Sequence, residues 1–265
     1  MIIKLIFTFL IGFLATTIGA ISGVGGGVII KPVMDAISGL PSAHISFMSG
    51  CTVLAMSIIS LLRSRGGAVK VEVRRGTLLA VGATLGGLIG KSWFDWIKLL
   101  SGNDGLIGVI QSSMMIILTS GVLLYVTYQN KIKTKNITNT IGCVVIGLVL
   151  GILSSFLGIG GGPINIAVLY FFFSMESKTA ALHSIYIIFF SQVTSLISTF
   201  VKGNVPKINI YLLLFMVVGG IAGGLIGSNI SKRISNKSVD CLFRWLIVFI
   251  ILISFYNLYK NLGHI

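Results

Sequence analysis

Two glycine-rich stretches have the residue pattern in this sequence that most suggests a functional site. The first, Ser22 to Gly27, reads Ser-Gly-Val-Gly-Gly-Gly, and the second, Leu157 to Pro163, reads Leu-Gly-Ile-Gly-Gly-Gly-Pro. Each holds four glycines in five positions. Since a glycine inside a helix costs roughly 1 kcal/mol relative to alanine, the pattern predicts a break in each apolar segment. Each break is followed by a short helix.

The start of each short helix could bind an anion. The first backbone N–H groups of a helix have no partner within it and carry about half a positive charge. In a bilayer, irregular backbone is tolerated only where it is buried or lines a cavity, so two such ends that face each other would form an anion site without fixed charge. The alternative is a tight turn with no binding role. The predicted backbone ligands are Gly25, Gly26, Gly27, Gly160, Gly161 and Gly162.

Lys31 is a further candidate ligand. It lies four residues after Gly27, which places it about one helical turn beyond the break. A cation at the centre of a membrane segment costs at least ~2.5 kcal/mol and marks a functional site by default. The alternative is that the side chain extends to the lipid headgroups, because the helix is short.

Several small polar residues could complete the shell of an oxyanion with hydroxyl, amide or imidazole N–H groups. Ser49 and Ser184 occupy equivalent places in the two halves of the chain, which favours them over the others. A structural alternative applies to all of them, since a serine in a membrane helix often bonds a carbonyl one turn back. His183 could also couple transport to protons. The predicted side-chain ligands besides Lys31 are Ser22, Ser49, Asn165, His183, Ser184 and Gln192.

The composition places these residues in a membrane protein. The 265 residues are 55% hydrophobic and 10% charged, with a mean hydropathy of +1.01, whereas soluble domains carry about 25% charged residues. The 20 Lys and Arg residues stand in short clusters between apolar runs, which indicates contacts with lipid headgroups and not a nucleic-acid surface. The acidic residues lie near the ends of the runs, and no residue pattern indicates a metal, a cofactor or an enzyme.

The apolar runs predict an all-α polytopic membrane protein built from two repeats. Runs of roughly 20 residues cross the bilayer, whereas runs of 10 to 13 do not. The runs are Leu5–Ser22, Val28–Ile37, Ala43–Leu62, Arg75–Phe94, Leu106–Tyr128, Ile137–Phe156, Pro163–Phe173, Thr179–Val201, Ile208–Ile230 and Cys241–Tyr259. Gly26 matches Gly161, and Gly86 to Gly90 matches Gly223 to Gly227 letter for letter. The predicted domains are an N-terminal repeat (1–130), a connector (131–138) and a C-terminal repeat (139–265).

The charge distribution favours inverted repeats over a parallel four-plus-four arrangement. In the inverted scheme each half has a Gly-tipped hairpin and three crossings, and both chain termini are outside the cell. One side then carries 13 cations, namely Arg63, Arg65, Lys70, Arg74, Arg75, Lys131, Lys133, Lys135, Lys178, Lys232, Arg233, Lys237 and Arg244. The other side carries 6, namely Lys4, Lys91, Lys98, Lys202, Lys207 and Lys260. The parallel scheme divides them more evenly, and cations concentrate on the cytoplasmic side.

Glycines spaced by four residues predict close helix packing in each half. They are Gly82, Gly86 and Gly90, and Gly219, Gly223 and Gly227. Small residues at this spacing let two helix backbones approach each other. A homodimer that packs through the same glycine faces is therefore a further possibility.

The glycine motifs resemble those of the sulfite exporter TauE/SafE family, also called the toluenesulfonate uptake permease family. The resemblance rests on Gly23 to Pro32 (GVGGGVIIKP), Gly158 to Ile166 (GIGGGPINI), Gly66-Gly67-Ala68-Val69 and the duplicated pattern of segments. It implies a bacterial inner-membrane transporter of small, often sulfur-containing anions. Lys31 departs from the family pattern, in which this position is usually apolar.

The sequence therefore predicts a secondary transporter, and an exporter in particular, for a small anion. The expected substrate is sulfite, another sulfur oxyanion or an organosulfonate, bound near the bilayer midplane between the two glycine-rich helix ends. An anion channel and a membrane protein without a transport function remain the alternatives.

Overall fold

The computed structural model describes residues 2–64, 69, 71–101, 104–157 and 161–263, and these residues form ten α-helices. The helices are α1 (Ile2–Ser22), α2 (Gly27–Ile37), α3 (Ser42–Ser64), α4 (Val73–Ser101), α5 (Asp104–Tyr128), α6 (Thr140–Leu157), α7 (Gly162–Phe173), α8 (Ser177–Val201), α9 (Ile210–Arg233) and α10 (Asn236–Leu262). Among the described residues, eight helices are long and apolar enough to cross a membrane. The predicted all-helical membrane fold is confirmed.

The helix ends follow local sequence signals. Asn209 precedes α9 and its side-chain oxygen accepts from the Tyr211 N–H at 2.9 Å, while Ser235 caps α10 by accepting from the Ser238 N–H at 3.2 Å. Pro163 stands in the first turn of α7, where its missing N–H removes no helical bond. Ser174 ends that helix in the left-handed region at φ 53°. Pro163 and Ser174 thus mark the start and the end of α7.

Glycine seams bring helices of different halves into direct contact, as the spacing predicted. A Cβ added to Gly219 would lie 2.5 Å from the Phe9 carbonyl oxygen, so α9 packs backbone to backbone against α1. Gly82, Gly86 and Gly90 approach residues 144–152 in the same way, which joins α4 to α6. Both faces are therefore covered within the monomer, and a homodimer would have to use other surfaces.

The contacts also fix the direction of each helix. Gly219 faces Phe9 and Gly227 faces Thr17, so α1 and α9 run parallel. We call the end of the bundle where α1 begins the near end and the opposite end the far end. Contacts at the ends of the other helices give their directions in the same way. α3 and α5 run from the near end to the far end, whereas α4, α6, α8 and α10 run from the far end to the near end.

The two short helices reverse the path of the chain. α2 runs back beside α1 and finishes at the near end, where the Lys260 ammonium of α10 donates to the Asp35 and Ala36 carbonyls at 3.2 and 3.1 Å. α7 finishes at the far end, where the Tyr170 hydroxyl donates to Asp240 at 3.0 Å. The inner ends of the two half-length helices, Gly27 of α2 and Gly162 of α7, therefore lie inside the bundle.

The outside of the bundle is apolar. Large side chains such as Ile117 (70% exposed), Leu252 (64%) and Trp245 (71%) project away from the protein. Exposed apolar surface of this extent suits lipid chains as the surrounding solvent. Polar side chains in the described helices are instead concentrated in the interior.

Candidate functional site

The first glycine-rich turn requires glycine at several positions. Gly23 and Gly25 adopt φ values of +75° and +77°, which L-residues with a side chain rarely take. Gly26 packs directly on α1, because a Cβ there would lie 2.7 Å from Thr16 Cγ2. The turn thus folds back onto its own helix before α2 begins at Gly27. The glycines build the turn through backbone conformation and close approach.

The second turn brings the start of α7 against the start of α2. Gly161 and Gly162 have φ values of +103° and +44°. A Cβ added to Gly162 would lie 3.3 Å from Val24 Cγ1, in the first turn. The two helix starts therefore meet in the interior. Gly160 lies outside the described residues, as do Gly158, Ile159 and residues 65–68.

The start of α2 leaves backbone donors that have no partner among the described residues. The Gly26 carbonyl accepts from the Ile29 and Ile30 N–H groups, which closes the first helical turn. Within the described part of the chain, the N–H groups of Gly27 and Val28 donate no hydrogen bond. Unpaired N–H groups at a helix start attract negative charge.

Gly27 lines a cavity of about 630 Å³ that extends from the helix starts toward the near end. Four predicted ligands lie on its wall: Gly27, Lys31, Ser49 and Gln192. Its deeper part also contains Gln111, Ser112, Ser154 and Ser155, and Lys91, Asp95, Lys260 and Asn261 lie toward the near end. The cavity is large enough for a small polyatomic ion with part of its hydration shell.

Lys31 faces the interior of the protein and not the lipid. Its side chain is 6% exposed, and its ammonium donates to Gln111 Oε1 at 2.8 Å. Asp35, one turn along α2, lies 3.7 Å from the same ammonium. An ammonium has three donors, so one is left for a group in the cavity. The i, i+4 spacing of Lys31 and Asp35 was readable in the sequence, although the pair was not predicted.

Gln111 is a residue of the site that sequence reasoning missed. It lies in the middle of α5 and is 8% exposed. Its amide nitrogen donates to the Phe156 carbonyl at 2.9 Å, just before the second glycine-rich turn. One side chain thus connects Lys31 of the first half to the end of α6 in the second half. A glutamine inside an apolar run was the available signal.

Ser49 and Gln192 present free polar groups to the cavity. Ser49 is 2% exposed, and neither its hydroxyl nor the Gln192 amide makes a hydrogen bond within the described part of the chain. Most hydroxyls of these helices, such as that of Thr52, instead donate to a carbonyl one turn back. The repeat mate Ser184 is fully buried and its hydroxyl has no partner among the described residues.

The other predicted side-chain ligands lie away from the cavity wall. The Ser22 hydroxyl donates to the Ile18 carbonyl at 2.8 Å, one turn back. Asn165 is 1% exposed beside Gly161. His183 accepts from the Glu72 N–H at 3.0 Å through Nε2, and its Nδ1 lies 2.9 Å from the Thr179 carbonyl. These contacts give His183 a structural role, since both ring nitrogens are occupied.

The cavity wall carries more positive than negative charge. Lys31, Lys91 and Lys260 oppose Asp35 and Asp95 on its lining. Lys91 donates to the Ser195 carbonyl at 3.1 Å and to the Thr199 hydroxyl, which holds its ammonium beside α8. A net positive wall around neutral donors favours an anion over a cation. No group of His, Cys, Asp or Glu among the described residues could hold a metal ion.

The fold and the site together define a class of protein. Eight candidate membrane spans, two half-length helices that meet in the interior and a polar cavity beside them are typical of a membrane transporter.

The family follows from the comparison with known proteins. The family described as Sulfite exporter TauE/SafE matches residues 8–258, so the chain belongs to the TauE/SafE sulfite exporter family and is a membrane transporter, not an enzyme. It is also 23% identical over 261 residues to a protein of Bacillus subtilis (strain 168) described as "Probable membrane transporter protein YunE", covering 91% of this chain and 93% of that one. No solved structure matches the chain significantly.

Proposed function

We propose that this protein is a secondary transporter that exports a small anion across the bacterial inner membrane. The observation that carries the proposal is the cavity at the start of α2, where the Gly27 N–H, which has no partner among the described residues, converges with Lys31, Ser49 and Gln192. All of these groups donate hydrogen bonds, as an oxyanion requires. Sulfite, another sulfur oxyanion or an organosulfonate suits this donor set, and the family name supports the same class.

The other predicted residues would then support the site. Gly25 and Gly26 shape the first turn, and Gly161 and Gly162 bring α7 against it. We propose that Asn165 of α7 and Ser184 of α8 belong to the second half's equivalent of the site. Both side chains are buried, and each has a polar atom without a partner in the described structure. Ser22 bonds within α1 and His183 ties α8 to the segment before α4, and we propose that neither is a substrate ligand.

We further propose that the repeats, residues 1–130 and 139–265, are inverted in the membrane, with 131–138 as the connector. The helix directions support this arrangement, since α1 to α5 each run opposite to their counterparts α6 to α10. Eleven of those 13 cations belong to described residues, and all 11 lie at the far end, which supports the far end as the cytoplasmic one. The cavity then opens to the outside. A cavity that extends toward one end also favours a carrier over an open channel.

The test of function is a screen of the purified protein for anion-dependent thermal stabilisation. Sulfite, thiosulfate, sulfonates, carboxylates and phosphate are compared at equal ionic strength. We expect a sulfur oxyanion or a sulfonate to raise the melting temperature in a saturable way, since a ligand that binds only the folded state stabilises it. Equal effects of all anions would contradict a specific site. Flux in proteoliposomes then separates a carrier, whose flux saturates, from a channel.

A tag at the C-terminus should be reachable from outside intact cells. α10 ends at the near end, which we assign to the outside. The matched control is the same tag inserted after Lys133, in the connector at the far end, which should be reached only after permeabilisation. The reverse pattern would overturn the orientation.

Replacing Ser49 with alanine should weaken anion binding without lowering stability. Its hydroxyl has no partner within the described chain, so its removal breaks no internal bond. A hydrogen bond to a charged ligand is worth about 1.5 kcal/mol or more, or roughly tenfold in Kd. Ser22→Ala is the control, since that hydroxyl is bonded to Ile18 and should leave the Kd unchanged. Titration calorimetry on both variants measures the difference, and equal Kd values for Ser49→Ala and the parent would remove Ser49 from the site.

A further inference from the structure

A second, smaller pocket lies at the far end of the bundle. It has a volume of about 200 Å³ and is bounded by residues of α3, α8 and α9 together with Ala20 and Val69. Four serines, Ser60, Ser64, Ser228 and Ser231, and two lysines, Lys178 and Lys232, provide its polar groups, and no acidic residue lines it among those described. Its charge therefore suits an anion.

The internal repeat relates this pocket to the large cavity residue by residue. The offset of 135 residues between Gly26 and Gly161 takes Ser60 to Ser195 and Ser64 to Thr199, while the offset of 137 between Gly86 and Gly223 takes Lys91 to Ser228. All 11 described residues that line the small pocket have their repeat mates on the wall of the large cavity. Only 31 of the described residues line that cavity, so a complete match reflects equivalent places in the two halves.

The first glycine-rich turn separates the two spaces. Gly23 packs against Ala181 of the small pocket, and Gly25 faces Ile188 and Val53, the last of which lines the large cavity. On the other wall, the Ser228 hydroxyl donates to the Ser60 hydroxyl at 3.0 Å and ties α9 to α3. The equivalent positions in the large cavity are Lys91 and Ser195, which also contact each other. Equivalent helix pairs, α9 with α3 and α4 with α8, thus border the two spaces.

We propose that the small pocket is the cytoplasmic entrance of the transport path, closed in this structure, and that it receives the same anion when the two repeats exchange conformations. The proposal rests on the transport function proposed above and adds the residues that form the inner gate. Lys178 and Lys232 attract the anion from the cytoplasm, and separation of Ser60 from Ser228 opens the pocket. Inverted repeats provide two such conformations, because each half can adopt the arrangement of the other.

A disulfide across the inner gate tests the proposal. Cysteines are placed at both gate positions (Ser60→Cys with Ser228→Cys) in a background that lacks the native Cys51, Cys143 and Cys241. Oxygen atoms 3.0 Å apart allow a disulfide with little backbone movement. We expect oxidation to abolish anion flux in proteoliposomes and a reductant to restore it. Anion-dependent thermal stabilisation should persist in the oxidised protein, because the large cavity stays open to the outside.

The controls distinguish a failure of the proposed inner gate from a failure of the proposed transport function. Each single variant, Ser60→Cys or Ser228→Cys, should transport equally with and without oxidant. Unchanged flux in fully cross-linked protein would overturn the inner gate while leaving anion transport intact. Absence of flux and of anion stabilisation in the reduced protein would instead overturn the proposed function.

Accessibility gives a second measurement that does not depend on cross-linking. A membrane-impermeant thiol reagent should label Ser228→Cys only from the cytoplasmic side, which inverted vesicles expose. It should label Ser195→Cys, the repeat mate of Ser60, only from the outside of intact cells. An outward anion gradient should change the two labelling rates in opposite directions. Labelling of Ser228→Cys that is independent of the anion and leaves flux intact would contradict the proposal.

Discussion

Replacing Lys31 with methionine should weaken anion binding by roughly 10- to 100-fold, since a hydrogen bond to a charged group is worth about 1.5–3 kcal/mol. Methionine preserves the length of the side chain but removes the ammonium that faces the cavity beside Gln111. Titration calorimetry with the best anion of the screen measures the change in Kd.

A matched double variant distinguishes binding from stability. The single change leaves Asp35 without its 3.7 Å partner, and an unpaired carboxylate in the interior is destabilising. Lys31→Met combined with Asp35→Asn removes both charges, so the melting temperature should recover while the weak anion binding persists. If the double variant regained the parent Kd, Lys31 would act through the fold and not as a ligand.

Gly23→Ala should destabilise the protein by about 2–5 kcal/mol, the largest effect that we expect from a single methyl group. The residue adopts φ +75°, which costs an alanine about 1–2 kcal/mol. The new Cβ would also meet the backbone and side chain of Ala181, and overpacking costs about 1–3 kcal/mol more. Thermal unfolding in detergent, followed by tryptophan fluorescence, measures the loss.

Gly39→Ala is the control for backbone conformation alone. Gly39 has a similar φ of +64°, but a Cβ there would meet nothing within 4 Å. Its loss should therefore be about 1–2 kcal/mol. Equal losses at the two positions would mean that the contact between the first turn and α8 contributes nothing to stability.

The sequence predicted the helices well because each has a strong local signal. Leu106–Tyr128 was predicted where α5 spans Asp104–Tyr128, and Pro163–Phe173 where α7 spans Gly162–Phe173. Length and hydropathy decide such segments, and glycine marks the breaks. Lys31 and Ser49, which line the cavity, were predicted as ligands in the same way, from a charge inside an apolar run and from a repeat mate.

The contacts between distant residues could not be predicted in the same way. Gln111 follows Lys31 by 80 residues, and no spacing rule relates α5 to α2. His183 was a candidate because it is titratable and intramembrane, yet its partner is the backbone of Glu72 on another segment. Polar residues in a membrane are paired or functional, and only the packing of the helices decides between the two.

The glycine seams have a consequence for how such a molecule can be assembled. α1 packs along α9 and α6 along α4, so the first helix of each half lies against the fourth helix of the other. Residues 1–130 expressed alone would therefore expose one side of each seam, the faces of α1 and of α4, and we expect neither half to fold by itself. An isolated half could cover its seams only by pairing with a second copy inserted in the opposite orientation. For the inverted repeats that we propose, a dimer of oppositely inserted copies is thus the simplest ancestor, and fusion into one chain would have fixed the orientation of each half.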